Sequence, residues 1–188
     1  ERIIKKVPND NLVWRVFLGS MASENNRIND KIDSVKVKEY AYKAKDLFTY
    51  GTSTINDEVH LLADYVIYGQ ENMKSAIKKR TLALDLIANN NFKEAKSNLM
   101  DLTKSYPDVV QFYEDLIYAN YSLKDYNSII QTHQLMNEKG LTEINTNILE
   151  FIMISYFQYG YNRQGCILVN LLRKANYPLS ESALSQCI

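Results

Sequence analysis

Few side chains in this sequence could carry out catalytic or metal chemistry. Its 188 residues include two histidines, His60 and His133, and two cysteines, Cys166 and Cys187, with no CxxC motif and no histidine pair near the cysteines. Phosphate-loop, dinucleotide-binding, zinc-peptidase and hydrolase-elbow motifs are missing as well. We therefore predict no catalytic site, no metal site and no cofactor, and expect the chain not to be an enzyme.

These residues have plainer structural interpretations. His60 lies at the start of a predicted helix, where we expect either a solvated histidine or one that belongs to the helix cap. His133 takes the position that Leu99 and Val169 hold in neighbouring segments, which predicts a packed histidine with one hydrogen bond. Cys166 lies inside a predicted helix, where a free thiol packs as a small apolar side chain.

A basic cluster on one predicted helix is the first feature that could bind a partner. It consists of Lys74, Lys78, Lys79 and Arg80, within about two helical turns. The cluster predicts contact with phosphate or an acidic segment, and the competing interpretation is a solvated helix face. The net charge of the whole chain makes binding to a phosphate backbone less expected, because its 22 Lys and Arg equal its 22 Asp and Glu.

The elements that must position these residues are predicted to be helices. Apolar residues recur at helical spacing while strand patterns are weak, which favours an all-α chain. One early helix should cover residues 9–26, another should run from Asp33 or Ser34 to Gly51, and a third from Asp57 to Gly69. The polar run NNRINDKID predicts a loop between the first two. No apolar run reaches the roughly 18–20 residues of a membrane span, so we expect no membrane insertion.

The second half of the chain contains a degenerate repeat. Leu102, Met136 and Leu172 recur at intervals of 34 residues (102 to 136) and 36 residues (136 to 172). First-helix positions recur in the same frame: Leu82, Leu116 and Ile152. A helical hairpin of this length cannot bury its apolar face alone, so the repeat predicts hairpins that stack on their neighbours.

The repeat units resemble those of two related helical-hairpin families. The segment ALDLIANNNFKEAKSNLMDLTKSYPD resembles a tetratricopeptide repeat, with matches at Ala83, Phe92, Ala95 and Pro107. The last full unit is more similar to a pentatricopeptide repeat, with matches at Tyr156, Gly160, Leu172 and Pro178, and residues 111–144 share that tendency.

This resemblance implies a right-handed superhelical stack of antiparallel helical hairpins, an α-solenoid. Residues 76–188 would form three hairpin repeats and the start of a further helix, and residues 1–75 an irregular helical N-terminal part. First helices of such stacks line the face that meets ligands. The partner-binding residues predicted there are Arg80, Glu114, Asp115, Tyr118 and Glu150.

The predicted inner face argues against base reading as pentatricopeptide proteins do it. The base-reading position would be held by Arg80, Glu114 and Glu150, and two glutamates there repel phosphate. Such a face suits a basic or mixed helix better than RNA.

Two functions from different classes follow from these residues. The first is a non-catalytic scaffold or adaptor that docks a partner protein or peptide segment within a multi-subunit complex. The alternative is an organellar RNA-binding factor that resembles divergent pentatricopeptide proteins and acts in RNA stability, processing or translation. Two isolated cysteines favour a reducing compartment, cytoplasm or nucleus, with the mitochondrial matrix as the alternative.

Overall fold

The computed structural model describes residue 4, residues 6–23 and residues 34–187, and over this part the chain is helical with connecting loops and no strands. The predicted all-α class is therefore confirmed. The predicted loop NNRINDKID lies outside the described residues. The helices with defined bounds are α1 (Asn11–Ala22), α2 (Ser34–Leu47), α3 (Thr54–Tyr68), α4 (Gln70–Ala88), α5 (Phe92–Ser105), α6 (Val110–Ser122), α7 (Tyr126–Glu138), α8 (Thr146–Gln158), α9 (Asn162–Lys174) and α10 (Glu181–Ser185).

The chain divides into two compact units, Glu1–Ile77 (unit 1) and Lys78–Ile188 (unit 2). The predicted division lay between residues 75 and 76. Across the described ranges, no helix has both the length and the apolar character that spanning a membrane requires.

Unit 1 is built around the only tryptophan in the sequence. Asp10 caps α1 by accepting a hydrogen bond from the amide of Val13. One turn apart on α1, Trp14 and Leu18 are fully buried, and Trp14 donates to the carbonyl of Pro8 over 2.8 Å. The buried core adds small and apolar residues from α2, α3 and their connection: Ala41, Ala44, Phe48, Val59, Ala63 and Ile67. Small residues in this core let α2 and α3 approach closely.

Two predictions for unit 1 are corrected by its packing. Helix α3 begins at Thr54, one turn before Asp57, because the Ser53 side chain caps it through the amide of Asn56. His60 is buried, not solvated, and its Nε2 bonds the carbonyl oxygen of Phe48. His60 is buried because it shares a face of α3 with the core residues Ala63 and Ile67, three and seven positions along the helix.

Unit 2 is a succession of packed helices. From α5 to α9 each helix contacts the next, and α6 also contacts α8. The repeated positions Leu102, Met136 and Leu172 are all buried, as are Leu99, His133 and Val169. Of the first-helix set, Leu116 and Ile152 are buried whereas Leu82 is exposed, because the buried position on α4 belongs to its neighbour Ala83.

The turns of unit 2 repeat with the same period. Asn90, Lys124 and Gly160 follow α4, α6 and α8 and all have positive φ, at intervals of 34 (90 to 124) and 36 (124 to 160) residues. After each of them the next amide bonds a carbonyl five residues back, for example Asp125 to Asn120 over 2.9 Å. This is the hydrogen bond of a left-handed helix end. The period seen in the apolar residues therefore recurs in the backbone.

Helices α8 and α9 approach closely at Gly165. This glycine is buried inside α9, and a Cβ atom there would lie 2.5 Å from the ring of Phe157. A larger residue would push the ring away, so the glycine serves packing here despite its low helix propensity.

Candidate functional site

A cavity of about 500 Å³ opens on unit 2, where α4, α6 and α8 contribute side chains. We call it the acidic cavity. Its lining comprises three carboxylates, three aromatic rings, three aliphatic side chains and two asparagines: Glu114, Asp115, Glu150, Tyr118, Phe151, Tyr177, Leu84, Ile87, Ile148, Asn145 and Asn147. Four of the predicted partner-binding residues line it, and Arg80 binds one of them. The structure thus brings all five together.

Asp115 has its counter-ion within the same unit. The guanidinium of Arg80 on α4 donates to both carboxylate oxygens of Asp115, over 2.6 and 3.3 Å. The two residues are 35 positions apart, and their pairing ties α4 to α6. A two-point guanidinium–carboxylate contact fixes orientation as well as charge. The charge of Asp115 is therefore already balanced by a residue of the same unit.

Glu114 is held by a neutral donor. Its carboxylate accepts a 2.7 Å hydrogen bond from the amide of Asn145, the residue that caps α8. Burial raises the pKa of Glu114 above its usual value, and the neighbouring Asp115 raises it further, while the Asn145 bond and the charge of Arg80 oppose the rise. The carboxylate is oriented, but its negative charge is only partly compensated.

Glu150 has a similar arrangement on α8. The hydroxyl of Tyr177, which follows α9, donates to the Glu150 carboxylate over 2.7 Å and lies 3.0 Å from Oδ1 of Asn147. The bond to Glu150 raises the pKa of Tyr177. Over the described part of the chain, no cation forms an ion pair with Glu114 or Glu150.

Aromatic rings form one wall of the acidic cavity. Phe151 stacks on Tyr121 with ring centroids 4.1 Å apart and planes at 18°, which fixes the Phe151 ring. Tyr118 lies 6.0 Å from Phe151 and is 42% exposed. Leu84 on α4 adds an exposed aliphatic side chain. The wall offers apolar and π surface beside the carboxylates.

Most of the predicted basic cluster is engaged in ion pairs. Lys74 pairs with Glu71 over 3.0 Å, Lys79 with Asp101 over 2.7 Å, and Arg80 with Asp115. The hydrogen bond from Lys79 holds the pKa of Asp101 below its usual value. Lys78 is exposed. Such pairing is typical of a solvated helix face more than of a phosphate site.

Sequence reasoning missed seven of the residues that line the acidic cavity, and three of these seven hold its carboxylates or form its aromatic wall. Tyr177 and Asn145 supply the donors to Glu150 and Glu114, and Phe151 supplies the fixed ring. Tyr177 and Glu150 are 27 residues apart, so no local pattern connects them. The one signal available was the position of Tyr177 directly before Pro178, a landmark of the repeat.

The cysteines form a disulfide, which overturns the predicted free thiol at Cys166. Cys166 on α9 bonds Cys187, just after α10, with Cα atoms 5.4 Å apart. The return of the chain through α10 brings the two together across 21 residues, which helical spacing alone could not show. The bond ties α10 to α9.

His133 is packed as predicted. Its Nδ1 lies 2.9 Å from the Tyr156 hydroxyl and its Nε2 lies 3.3 Å from Nδ2 of Asn137, so both ring nitrogens have partners, one more than predicted. Burial lowers the pKa of His133. Throughout the described ranges, no group of three or more His, Cys, Asp or Glu side chains could hold a metal ion.

Comparison with protein-family models, with curated proteins and with solved structures found no match to this chain. We therefore infer the function from the acidic cavity.

Proposed function

We propose that the chain is a non-catalytic scaffold or adaptor that docks a segment of a partner protein in the acidic cavity, within a larger assembly. The observation that carries this proposal is the composition of the cavity: exposed aromatic and aliphatic side chains beside oriented carboxylates, in about 500 Å³. That volume lies within the range of about 300–1,000 Å³ for ligand sites. Tyrosine-rich surfaces are also typical of interface cores.

The proposal includes the finer architecture. We propose that unit 2 is a right-handed stack of antiparallel hairpins of the tetratricopeptide or pentatricopeptide type, with α4, α6 and α8 as first helices. Support comes from the recurrence of left-handed turn residues after these helices and from the contact between α6 and α8. In such a stack the acidic cavity lies on the face formed by first helices.

Affinity purification with matched variants tests the docking proposal. Tyr118→Ala with Leu84→Ala removes two exposed side chains of the cavity, which are 42% and 38% exposed. Tyr159→Ala with Leu171→Ala removes similar side chains elsewhere in unit 2, which are 51% and 48% exposed. The tagged chain and the control variant should recover the same partner from cell extract, whereas the cavity variant should lose it. Equal recovery by both double variants, at unchanged circular dichroism, contradicts the proposal.

The RNA-binding alternative has less support from the acidic cavity. A phosphate backbone along it would meet Glu114 and Glu150, while Lys79 and Arg80 already pair with carboxylates. Fluorescence anisotropy against mixed-sequence single-stranded RNA at two salt concentrations decides between the two. Saturable binding that weakens steeply with salt would replace the scaffold by the RNA factor.

The compartment is a separate question. The cysteine count predicts a reducing compartment, whereas disulfides such as Cys166–Cys187 persist in oxidising ones. We propose that the protein resides in the reducing compartment, where the Cys166–Cys187 disulfide is open, so that both thiols react with an alkylating reagent added at extraction. An unreactive pair in freshly extracted protein contradicts it.

A further inference from the structure

We infer that the docked segment presents a basic side chain, Lys or Arg, whose cationic head binds the carboxylates of Glu114 and Glu150 while its aliphatic stem lies on Phe151 and Tyr118. This inference rests on the proposed function and names the chemistry that the acidic cavity selects.

The charges of the cavity lead to this inference. Three carboxylates line it, and the Arg80 guanidinium pairs with only one of them, Asp115. Glu114 and Glu150 bond an amide and a phenol instead, neither of which carries a positive charge. The cavity therefore keeps an excess of negative charge that a cation from a partner can neutralise.

Both carboxylates are fixed before any partner arrives. Asn145 holds Glu114 from the start of α8, and Tyr177 holds Glu150 from the loop after α9, each over 2.7 Å. Every carboxylate has about four acceptor positions, so each keeps capacity for further donors. A site whose acceptors are oriented in advance spends less conformational entropy on binding.

The burial of Glu114 adds a second reason. Burial raises its pKa, because withdrawal from water disfavours the charged form, and the charge of Arg80, which is bonded to Asp115, opposes that rise only in part. A cation beside Glu114 would stabilise that form. Binding should consequently weaken as the pH falls and Glu114 takes up a proton.

The walls of the cavity suit the rest of a basic side chain. Lys and Arg carry aliphatic stems that cover apolar surface while their heads reach polar groups. The stacked ring of Phe151 and the exposed ring of Tyr118 provide such surface, and aromatic faces also attract cations. An acidic segment would meet Glu114 and Glu150 as like charges.

Selection from a random peptide library displayed on phage, with the wild-type chain as bait, tests the inference. Selected peptides should share a Lys or Arg flanked by apolar residues. Each peptide is then titrated against wild type, Glu114→Gln, Glu150→Gln and Glu138→Gln. The last is an exposed glutamate at the end of α7, outside the cavity, and serves as the matched control. We expect each cavity substitution to weaken binding about tenfold, as loss of a charge-assisted hydrogen bond does, and the control to have no effect.

A change on the peptide gives the same information without altering the protein. Replacing the selected Arg by citrulline, or the selected Lys by norleucine, removes the charge and should also weaken binding about tenfold. Exchange of Arg for Lys shows which of the two the cavity prefers, and retained binding after the exchange supports the shared chemistry.

The outcomes separate this inference from the proposed function. Selected peptides without a basic residue that still lose binding to Tyr118→Ala with Leu84→Ala would overturn the inference and leave the docking function standing. Peptides whose binding ignores every cavity substitution would overturn both. Binding that depends on the basic residue but not on Glu114 or Glu150 also overturns the inference.

Discussion

Two regions of the molecule withdraw carboxylates from water in different ways. In unit 1, Asp64 pairs with Lys45 over 2.6 Å, and their side chains are only 4% and 12% exposed. In the acidic cavity of unit 2, Glu114 and Glu150 bond neutral donors beside open space. In unit 1 the carboxylate is neutralised by the cation of Lys45. In unit 2 the two carboxylates keep their negative charge and face the cavity. A carboxylate paired within its own chain serves stability, and one held by neutral donors can serve a partner.

The aromatic side chains of the two regions also differ, since those of unit 1 pack around a buried ring and those at the acidic cavity are partly exposed. In unit 1 the rings of Trp14, Phe17, Tyr40 and Phe48 contact one another around the buried indole. At the acidic cavity the Phe151 ring is supported on one side by Tyr121, while Tyr118 beside it stays exposed. The aromatic rings of unit 1 thus form part of its core, whereas those of unit 2 line the acidic cavity.

Replacing Lys45 of unit 1 should change the stability of the protein most. Lys45→Met removes the cation that lies 2.6 Å from the buried Asp64 carboxylate, which should reduce the free energy of unfolding by about 3–5 kcal/mol. Urea titration followed by Trp14 fluorescence measures it, because this tryptophan reports on unit 1. Lys45→Met with Asp64→Leu removes both charges and should recover most of the loss. A single variant within about 1 kcal/mol of wild type would contradict the distinction between the two units, since loss of one partner of a buried ion pair costs several kcal/mol.

Removing the Cys166–Cys187 disulfide of unit 2 should lower the free energy of unfolding by a smaller amount. Cys166→Ser with Cys187→Ser opens the link that closes a 21-residue span, and such loops typically contribute about 2–4 kcal/mol. Hydrogen exchange should speed up in α9 and α10, while the Trp14 fluorescence transition of unit 1 stays unchanged. Loss of unit 1 stability in this double variant would show that the two regions cannot be compared as separate units.

Replacing Glu114 should change the stability least, and the size of the change should depend on pH. Its folded pKa lies above the usual 4.5, so its contribution to stability is full below that value and is lost as the pH rises through the folded pKa. Glu114→Gln should therefore be slightly more stable than wild type at neutral pH, with the difference vanishing in acid. Thermal unfolding at a series of pH values measures it, with Glu138→Gln as the control. A less stable Glu114→Gln at neutral pH would mean that the carboxylate already serves the fold, as Asp64 does.

The spacing of residues along the sequence predicted much of the burial in unit 2 and part of its acidic cavity. Leu102, Met136 and Leu172 each lie three residues after another buried residue of the same helix, Leu99, His133 and Val169 respectively, and residues at this spacing share a helix face. The set Arg80, Glu114, Asp115, Tyr118 and Glu150 was selected by its place in first helices, and these residues meet at the acidic cavity. Leu82 shows the limit of such reasoning, since an offset of one residue turns a side chain by about 100° on a helix.

Local spacing in the amino-acid sequence was enough to predict the helical class and the apolar faces of the unit 2 helices. Both depend on neighbours within a few positions. The packing of the helices, in contrast, sets the long-range pairs: Arg80 with Asp115, Tyr177 with Glu150, and Cys166 with Cys187 in the disulfide. These partners are 21 to 35 residues apart, and their distance in space depends on how whole helices pack, which no local spacing encodes.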